Sequence, residues 1–403
     1  MAANGDAPPE VILGVSGGIA AYKACELLRL FTESGHAVTV VPTPAALTFV
    51  GAATWEALSG REVATGVFAN VAEVPHVRLG RAARLVVVAP ATADLLARAA
   101  SGRADDLLTA TLLTARCPTL FIPAMHTEMW EHPATLDNVA ALRRRGAIVA
   151  EPASGRLTGT DTGRGRLPEP SEIFATATRM LARGNAKPDL AGRRVVVTAG
   201  GTREPLDPVR YIGNRSSGKQ GYAIARAAVA RGARVTLIAA NVSLDPVAGS
   251  DLVTVETTEQ LREAARTAAR DADAVVMAAA PADFRPASYS PVKIKKTSTD
   301  GDLTLRLTPN GDIAAELGAS KPSGQKLVVF AAETHDATDH ARAKLTAKNA
   351  DLAVLNEVGG GKAFGTDDNT VTLLRPDGST TRQPPATKDD VADVIWDEVV
   401  RLW

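Results

Sequence analysis

The feature that most constrains this chain is a pattern that occurs twice: a run of β-branched residues, a glycine turn, and a helix with one apolar face. Near the start, "EVILGVSG" leads into the helical "GIAAYKACELLRLFTESG" and then a second strand, "HAVTVVPT". From residue 193, "RRVVVTAGGT" is followed at a distance by "GYAIARAAVARGARVTLIAAN", again helix then strand. Short strands that are apolar throughout, alternating with helices, predict parallel sheets built from right-handed βαβ crossovers. "ARLVVVAPA", "PTLFIPA" and "GAIVAEP" add strands to the first part, with the stretch "TADLLARAASGRADDLLTATLLTA" reading as helical and "SEIFATATRMLARG" as a closing helix. "EQLREAARTAARDADAVVMAAA", "QKLVVFAAET" and "DHARAKLTAKNADLAVLN" extend the second part, followed by a hairpin turning at "PDG" and a last helix, "KDDVADVIWDEVVRLW". Between the parts, "RGNAKPDLAGRR" is polar with Gly and Pro and reads as a linker. The expectation is an α/β protein with two Rossmann-like parallel-sheet domains in series: residues 1–183, a linker at 184–192, and residues 193–403.

Composition narrows the class. A chain of 403 residues is long enough for two or three domains, each with its own core. The formal net charge is zero, so no global field recruits nucleic acid. No apolar run reaches membrane-spanning length, and the opening "MAANGDAPPE" lacks the basic and apolar regions of a signal peptide. Cys25 and Cys117 are too few for a disulfide framework or a Cys-based zinc site. These features predict a cytoplasmic enzyme-like protein without membrane or nucleic-acid partners.

Three glycine-rich stretches are candidates for ligand binding. "GVSGGIAAYK" (14–23) joins a strand to a helix, where backbone N–H groups and the positive helix end suit a phosphate. It lacks the dinucleotide spacing, and the next strand ends at Val41-Pro42-Thr43 with no acid for a ribose, which disfavours NAD. The second unit's strand likewise ends at Ala240-Asn241. Thr43 would suit a terminal phosphate such as that of FMN. "GNRSSGKQG" (213–221) mimics a Walker loop, but Gln220 stands where Ser or Thr should ligate Mg²⁺, and "TREPLDPVRYI" separates it from the strand. "GTDTGRGR" (159–166) fits neither motif; its glycines are read as allowing tight turns, and Arg164 or Arg166 as facing a phosphate.

Longer motifs carry a resemblance. "VSGGIAAYK", "PHVRLGRAARLVVVAPATADLLARAASGRADDLLT" and "PAMHTEMW" resemble a flavodoxin-like, FMN-dependent cysteine decarboxylase. "TAGGTREPLDPVRYIGNRSSGKQG", "AAAPADFRP", "KIKK", "VVFAAET" and "KLTAKNADLAVLN" resemble a Rossmann-like CTP-dependent ligase. In this order they resemble the bifunctional phosphopantothenoylcysteine decarboxylase/phosphopantothenate–cysteine ligase family of coenzyme A biosynthesis. The resemblance implies that the second half joins 4′-phosphopantothenate to L-cysteine through an acyl-cytidylate made from CTP. The first half then decarboxylates the product to 4′-phosphopantetheine with FMN.

Site residues follow by motif. For FMN the resemblance and the Gly turn point to Gly17, Gly18, Ile19, Thr43, Pro90, Ala91 and Thr92. For decarboxylation it implies His76 as a catalytic histidine, with Met125, His126, Trp130, Gly159 and Thr160 at the substrate. An imidazole moves protons near neutral pH, which suits such a step. For CTP it implies Met277, Ala278, Ala279, Asp283, Lys293, Gly311, Asp312, Ile313, Ala314, Phe330, Lys344 and Lys348. Asn214 is implied for handling the acyl-cytidylate. Cations and Mg²⁺, bound mainly through CTP, would offset the charge built up at the triphosphate. Homo-oligomers are implied too: trimers of the flavin half and dimers of the ligase half, up to a dodecamer, with sites built across interfaces.

Three positions depart from the family. His126 stands where relatives carry the Asn that grips the substrate carboxylate, and Asp94 where many have Asn. Relatives also carry a Cys in the loop aligned with "GTDTGRGR", and here Gly159 occupies its position. An active decarboxylase then needs another proton donor, such as His126, a loop hydroxyl or water; the competing reading is a flavin half that is impaired or serves only as a scaffold for the ligase.

Overall fold

A computed structural model describes residues 10–63, 74–157, 160–295, 303–333, 337–357 and 368–403. It separates into two compact units: residues up to 192 with 229–233 and 247–250, and the remainder of 193–403.

The first unit is built on β1 (Glu10–Val15), β2 (Ala37–Pro42), β3 (Leu85–Ala91), β4 (Thr119–Pro123) and β5 (Ile148–Val149). They form one parallel sheet in the order β2-β1-β3-β4-β5. Every residue of β3 is buried, as a central strand covered on both faces must be. Val11, Leu13, Val87 and Ile122 face one core with Leu27, Phe31 and Trp55, while Ile12, Val86 and Phe121 face the other with Leu95, Leu108 and Trp130. The long helical stretch is two helices, Ala93–Ser101 and Leu107–Thr114. Gly102 ends the first at φ 71°, and Asp106 starts the second by accepting the Thr109 N–H at 2.8 Å while the Thr109 side chain returns a bond to its backbone. A feature the strand–helix pattern did not foresee is an antiparallel hairpin, β6 (Ala153–Arg156) with β7 (Thr162–Arg166).

The second unit begins with β8 (Arg194–Gly200), then a small hairpin of β9 (Arg203–Pro205) and β10 (Tyr211–Gly213). After helix Lys219–Ala230 come β11 (Arg234–Ala240), β12 (Ser250–Val255) and β13 (Ala274–Met277). A second hairpin pairs β14 (Phe284–Pro286) with β15 (Leu307–Pro309), and β16 (Lys326–Glu333), β17 (Leu352–Glu357), β18 (Asp368–Leu374) and β19 (Thr380–Thr387) follow. The main sheet runs β12-β11-β8-β13-β16-β17-β18-β19. The β11-β8-β13-β16-β17 run is parallel, and the last two strands are the antiparallel hairpin turning at Gly378. Strand order therefore reverses beside β1 in one unit and beside β8 in the other, where open α/β sheets leave a crevice at the carboxyl ends of their strands.

Candidate active sites

In the first unit three loops meet at that crevice. Ser16, 1% exposed, donates its hydroxyl to the Pro90 carbonyl at 2.8 Å and accepts the Thr92 N–H at 2.9 Å, tying the Gly turn to the 90–92 loop. Thr92 caps helix Ala93–Ser101 by accepting the Leu95 N–H at 3.3 Å. Gly17 is pressed so closely on the loop after β2 that a Cβ there would lie 2.4 Å from Ala45 Cβ. Gly18 faces open space: a Cβ would meet only Thr92 Cγ2, at 3.7 Å. A cleft of about 310 Å³ opens there, lined by Gly18, Ile19, Lys23, Pro90, Met125, His126, Arg156 and Arg166 among others.

Several expected residues are placed differently. Thr43 is 3% exposed and its hydroxyl already accepts the Ala46 N–H at 3.2 Å, so it belongs to the turn after β2. Trp130, 4% exposed, packs in the core with Leu95 and Phe121 and does not line the cleft; an indole is most stable covered by such neighbours. His76 lies in the first turn of helix Pro75–Ala82, away from the lining, with its buried Nδ1 unpartnered among the described residues. Gly159 lies outside the described residues, and Thr160 is exposed beside it.

The hairpin glycines serve close approach as much as turning. A Cβ on Gly165 (φ 151°) would sit 2.0 Å from the Met125 carbonyl oxygen, and one on Gly163 would sit 2.3 Å from Thr127 Oγ1. Met125 N–H donates to the Gly165 carbonyl at 3.0 Å, so β7 is clamped onto the segment carrying His126. Arg164 is turned away to Glu151 at 2.8 Å, which also pairs with Arg143. Arg166 lines the cleft and shares Glu169 with Lys23, which lies 3.0 Å from that carboxylate. Lys23 was not singled out by its sequence; its place one helical turn after the Gly turn was the available signal. Neither thiol substitutes for the absent one. Burial pushes Cys117 up to about 11 and raises Cys25 as well, and neither lines the cleft.

In the second unit a cleft of about 430 Å³ gathers most of the expected ligase residues. Asn214, Met277, Ala278, Ala279, Asp283, residues 311–314, Phe330, Lys344 and Lys348 all line it. The 277–283 loop is held from below: Ala279 N–H donates to Thr198 Oγ1 at 3.0 Å and Ala282 N–H to Thr202 Oγ1 at 2.8 Å. Asp312 caps helix Ile313–Ser320 through the Ala315 N–H at 3.0 Å and lies 3.5 Å from Lys348 Nζ. Asn214 donates its amide to the Pro281 carbonyl at 2.8 Å. Sequence reasoning missed Lys219, Lys388, Asn310, Asn356 and Asn369 on the same walls; only Lys219, within a Gly-rich motif, carried a signal.

Lys293 is absent from this lining. It is exposed on a loop fixed at Ile294, whose N–H donates to Asp207 at 3.1 Å and whose carbonyl accepts from Arg210 at 2.9 Å. Lys295 is exposed on the same loop, and Lys296 lies outside the described residues. No group of three or more His, Cys, Asp or Glu is placed to hold a metal among the described residues. Nor does any helix among them have the length and apolarity to cross a membrane.

Two parallel-sheet units, each with a cleft at its strand ends, define a flavoprotein-type domain followed by a pantothenate-metabolism domain. The family model described as Flavoprotein matches residues 3–182, and that of the DNA/pantothenate metabolism flavoprotein C-terminal domain matches 190–402. The coenzyme A biosynthesis bifunctional protein CoaBC of Mycobacterium tuberculosis is 59% identical over 405 residues, covering 98% of this chain and 96% of its own. Its counterpart from Bacillus subtilis is 44% identical over 396 residues, 97% of each chain. A crystal structure of the C-terminal domain of a CoaBC protein is 36% identical, covering 54% of this chain and 98% of its own with a TM-score of 0.46. The chain belongs to the bifunctional coenzyme A biosynthesis enzymes that combine a phosphopantothenoylcysteine decarboxylase domain with a phosphopantothenate–cysteine ligase domain.

Proposed function

We propose that the second unit joins 4′-phosphopantothenate to L-cysteine using CTP, and that the first decarboxylates the 4′-phosphopantothenoylcysteine formed, using FMN. What carries the ligase reading is the convergence of Asn214, the 277–283 loop, the capped helix start at 311–314 and two lysines on one cleft. Lys344 and Lys348 offset the charge of the triphosphate, with Mg²⁺ held mainly through CTP. Asp283 and the Met277–Ala279 backbone serve the nucleoside, and the Phe330 ring the base. The substrate carboxylate bonds to the α-phosphorus and pyrophosphate leaves with the bonding pair. Asn214 then donates to the acyl carbonyl while the cysteine amine forms the C–N bond; CMP departs with its electron pair and the amine proton passes to water. Lys293 and His76, outside the clefts of their own units, reach a site through the homo-oligomer that the family resemblance implies.

The first cleft fits FMN: Gly18 leaves room for close approach and Ile19, 71% exposed, offers an apolar cover. FMN supplies there an acceptor, and then a donor, of two electrons for the thiol end of the substrate. His126, exposed beside Met125, donates a hydrogen bond to the substrate carboxylate and afterwards the proton that relatives take from a thiol. The β6–β7 hairpin holds that segment in place and Arg166 faces the substrate phosphate.

Purified full-length protein is expected to release CO₂ from phosphopantothenoylcysteine, and pyrophosphate from CTP only when phosphopantothenate is present. No CO₂ release from flavin-loaded protein would overturn the decarboxylase reading and restore the scaffold alternative. An unchanged rate in His126→Asn would remove that residue as proton donor.

A further inference from the structure

A second cavity, of about 480 Å³, adjoins the first along the loop that carries Asn214. It lies at the carboxyl ends of β8 and β11 and is lined by Gly201, Thr202, Arg203, Tyr211 and Asn241, sharing residues 214–217 with the nucleotide cleft. Its walls are fixed. Asn241, held at φ 52°, donates its amide to the Gly201 and Glu256 carbonyls, both at 2.9 Å, and the Arg203 backbone N–H donates to the Glu256 carbonyl at 2.9 Å. Gly213 pairs with Arg203 across the β9–β10 hairpin.

The charge is unbalanced. The Arg203 guanidinium lies 4.7 Å from the centroid of the Tyr211 ring, and no carboxylate pairs with it among the described residues. Arg215, exposed on the shared loop, has none either. Several other arginines of this unit are matched: Arg193 with Asp273, Arg210 with Asp207, Arg226 with Asp389, Arg262 with Glu316 and Arg375 with Glu398. Two unmatched guanidinium groups on one fixed cavity make an anion site, since a planar fork recognises a carboxylate or a phosphate in the same way.

We propose that this cavity receives the amino-acid co-substrate, its carboxylate on Arg203 and Arg215 and its amine directed at Asn214. The proposal rests on the ligase reading above. The acyl group and its nucleotide occupy one face of the 213–217 loop; the amine must approach the acyl carbonyl from a side that the departing CMP does not block. The adjoining cavity, which meets the first at Asn214, is that side. The other source of the same anion chemistry is the phosphate of the acid substrate, and the two are separable.

The test measures L-cysteine and phosphopantothenate dependence separately in R203Q and R215Q full-length protein, with thermal unfolding to check the fold. The KM for L-cysteine should rise roughly 10- to 100-fold, the loss expected for a charge-assisted bond. The KM for phosphopantothenate and the cysteine-independent burst of pyrophosphate should not move. R203K should recover part of the loss. The preference for L-cysteine over 2-aminoethanethiol, which has no carboxylate, should shrink by the same factor. If R203Q does not fold, R215Q carries the same expectations. A rise in the phosphopantothenate KM instead assigns the cavity to the phosphate and overturns the proposal, as does an unchanged cysteine KM in both variants. Wild-type protein that makes no CTP-dependent pyrophosphate overturns the ligase reading itself.

Discussion

After β1 the chain turns through Gly17 and Gly18, and at the end of β8 through Gly200 and Gly201. In the first unit helix Ala21–Glu33 follows at once, Gly18 faces open space, and the crevice stays free for a ligand. In the second the β9–β10 hairpin and the 213–217 loop intervene before helix Lys219–Ala230. That loop lies across the turn: a Cβ on Gly201 would sit 2.4 Å from the Asn214 carbonyl oxygen, and one on Gly213 2.4 Å from that of Thr202. One sequence signature thus has two uses, an open cradle and a seat for the loop that carries Asn214. The number of residues between turn and helix decides which.

The largest test of this contrast is Gly201→Ala against Gly18→Ala. In Gly201→Ala the added methyl must displace the backbone at Asn214, and a shift near 1 Å at a reacting group costs roughly a hundredfold in turnover. Ligase activity should fall by about that factor while CO₂ release from phosphopantothenoylcysteine is unaffected. Gly18→Ala should fold normally, keep full ligase activity, and bind flavin less tightly, read by flavin fluorescence. Equal ligase rates in wild type and Gly201→Ala would end the comparison.

A smaller effect is expected at the hairpin. Gly165 sits at φ 151° with Met125 O in the space a methyl would need. Gly165→Ala should destabilise the first unit by more than about 1 kcal/mol, the usual scale where a side chain is forced into such a conformation. Decarboxylation should drop with it and ligation should not, so two thermal transitions followed by flavin release and by ligase assay would separate the units. Retention of wild-type flavin binding and CO₂ release would show that the hairpin does not hold His126.

How much of this was legible differs between the sites. The parallel sheets were readable because "LVVVA" and the "VVV" of β8 are unbroken apolar runs, which suit a strand covered on both faces. The second unit's cleft was readable because much of its lining sits in contiguous motifs, 277–283 and 311–314. Lys388 and Asn369 were not, because they reach the cleft from the last helix and an antiparallel edge pair, and no local pattern records that. "GTDTGRGR" was legible as special but not in its physics: the close contacts of Gly163 and Gly165 are to Thr127 and Met125, more than thirty residues away. Trp130 shows the converse, a motif residue whose ring packs in the core, since membership of a motif says nothing about which way a ring points.

The smallest effect concerns what holds the intervening hairpin. The Asp207 side chain is fully buried, and its carboxylate accepts the N–H groups of Val209 and Arg210 at 2.8 Å and of Ile294 at 3.1 Å, with Arg210 guanidinium at 3.3 Å. Burial alone would raise its pKa; the three N–H donors and the Arg210 charge outweigh it and hold the group below the usual carboxylate range. With the folded value depressed, the stability it contributes is fully present above the unfolded value of about 4 and is lost as pH falls from there through the folded value. Asp207→Asn, which keeps one acceptor and loses the charge, should therefore unfold earlier than wild type at neutral pH. Its unfolding midpoint should change less between pH 4 and pH 3 than that of wild type, the two curves converging in acid. Because the same carboxylate ties down Ile294, the variant should also loosen the loop bearing Lys293 and raise the KM for CTP. Parallel pH curves for the two proteins would show that Asp207 does not pin the β9–β10 hairpin.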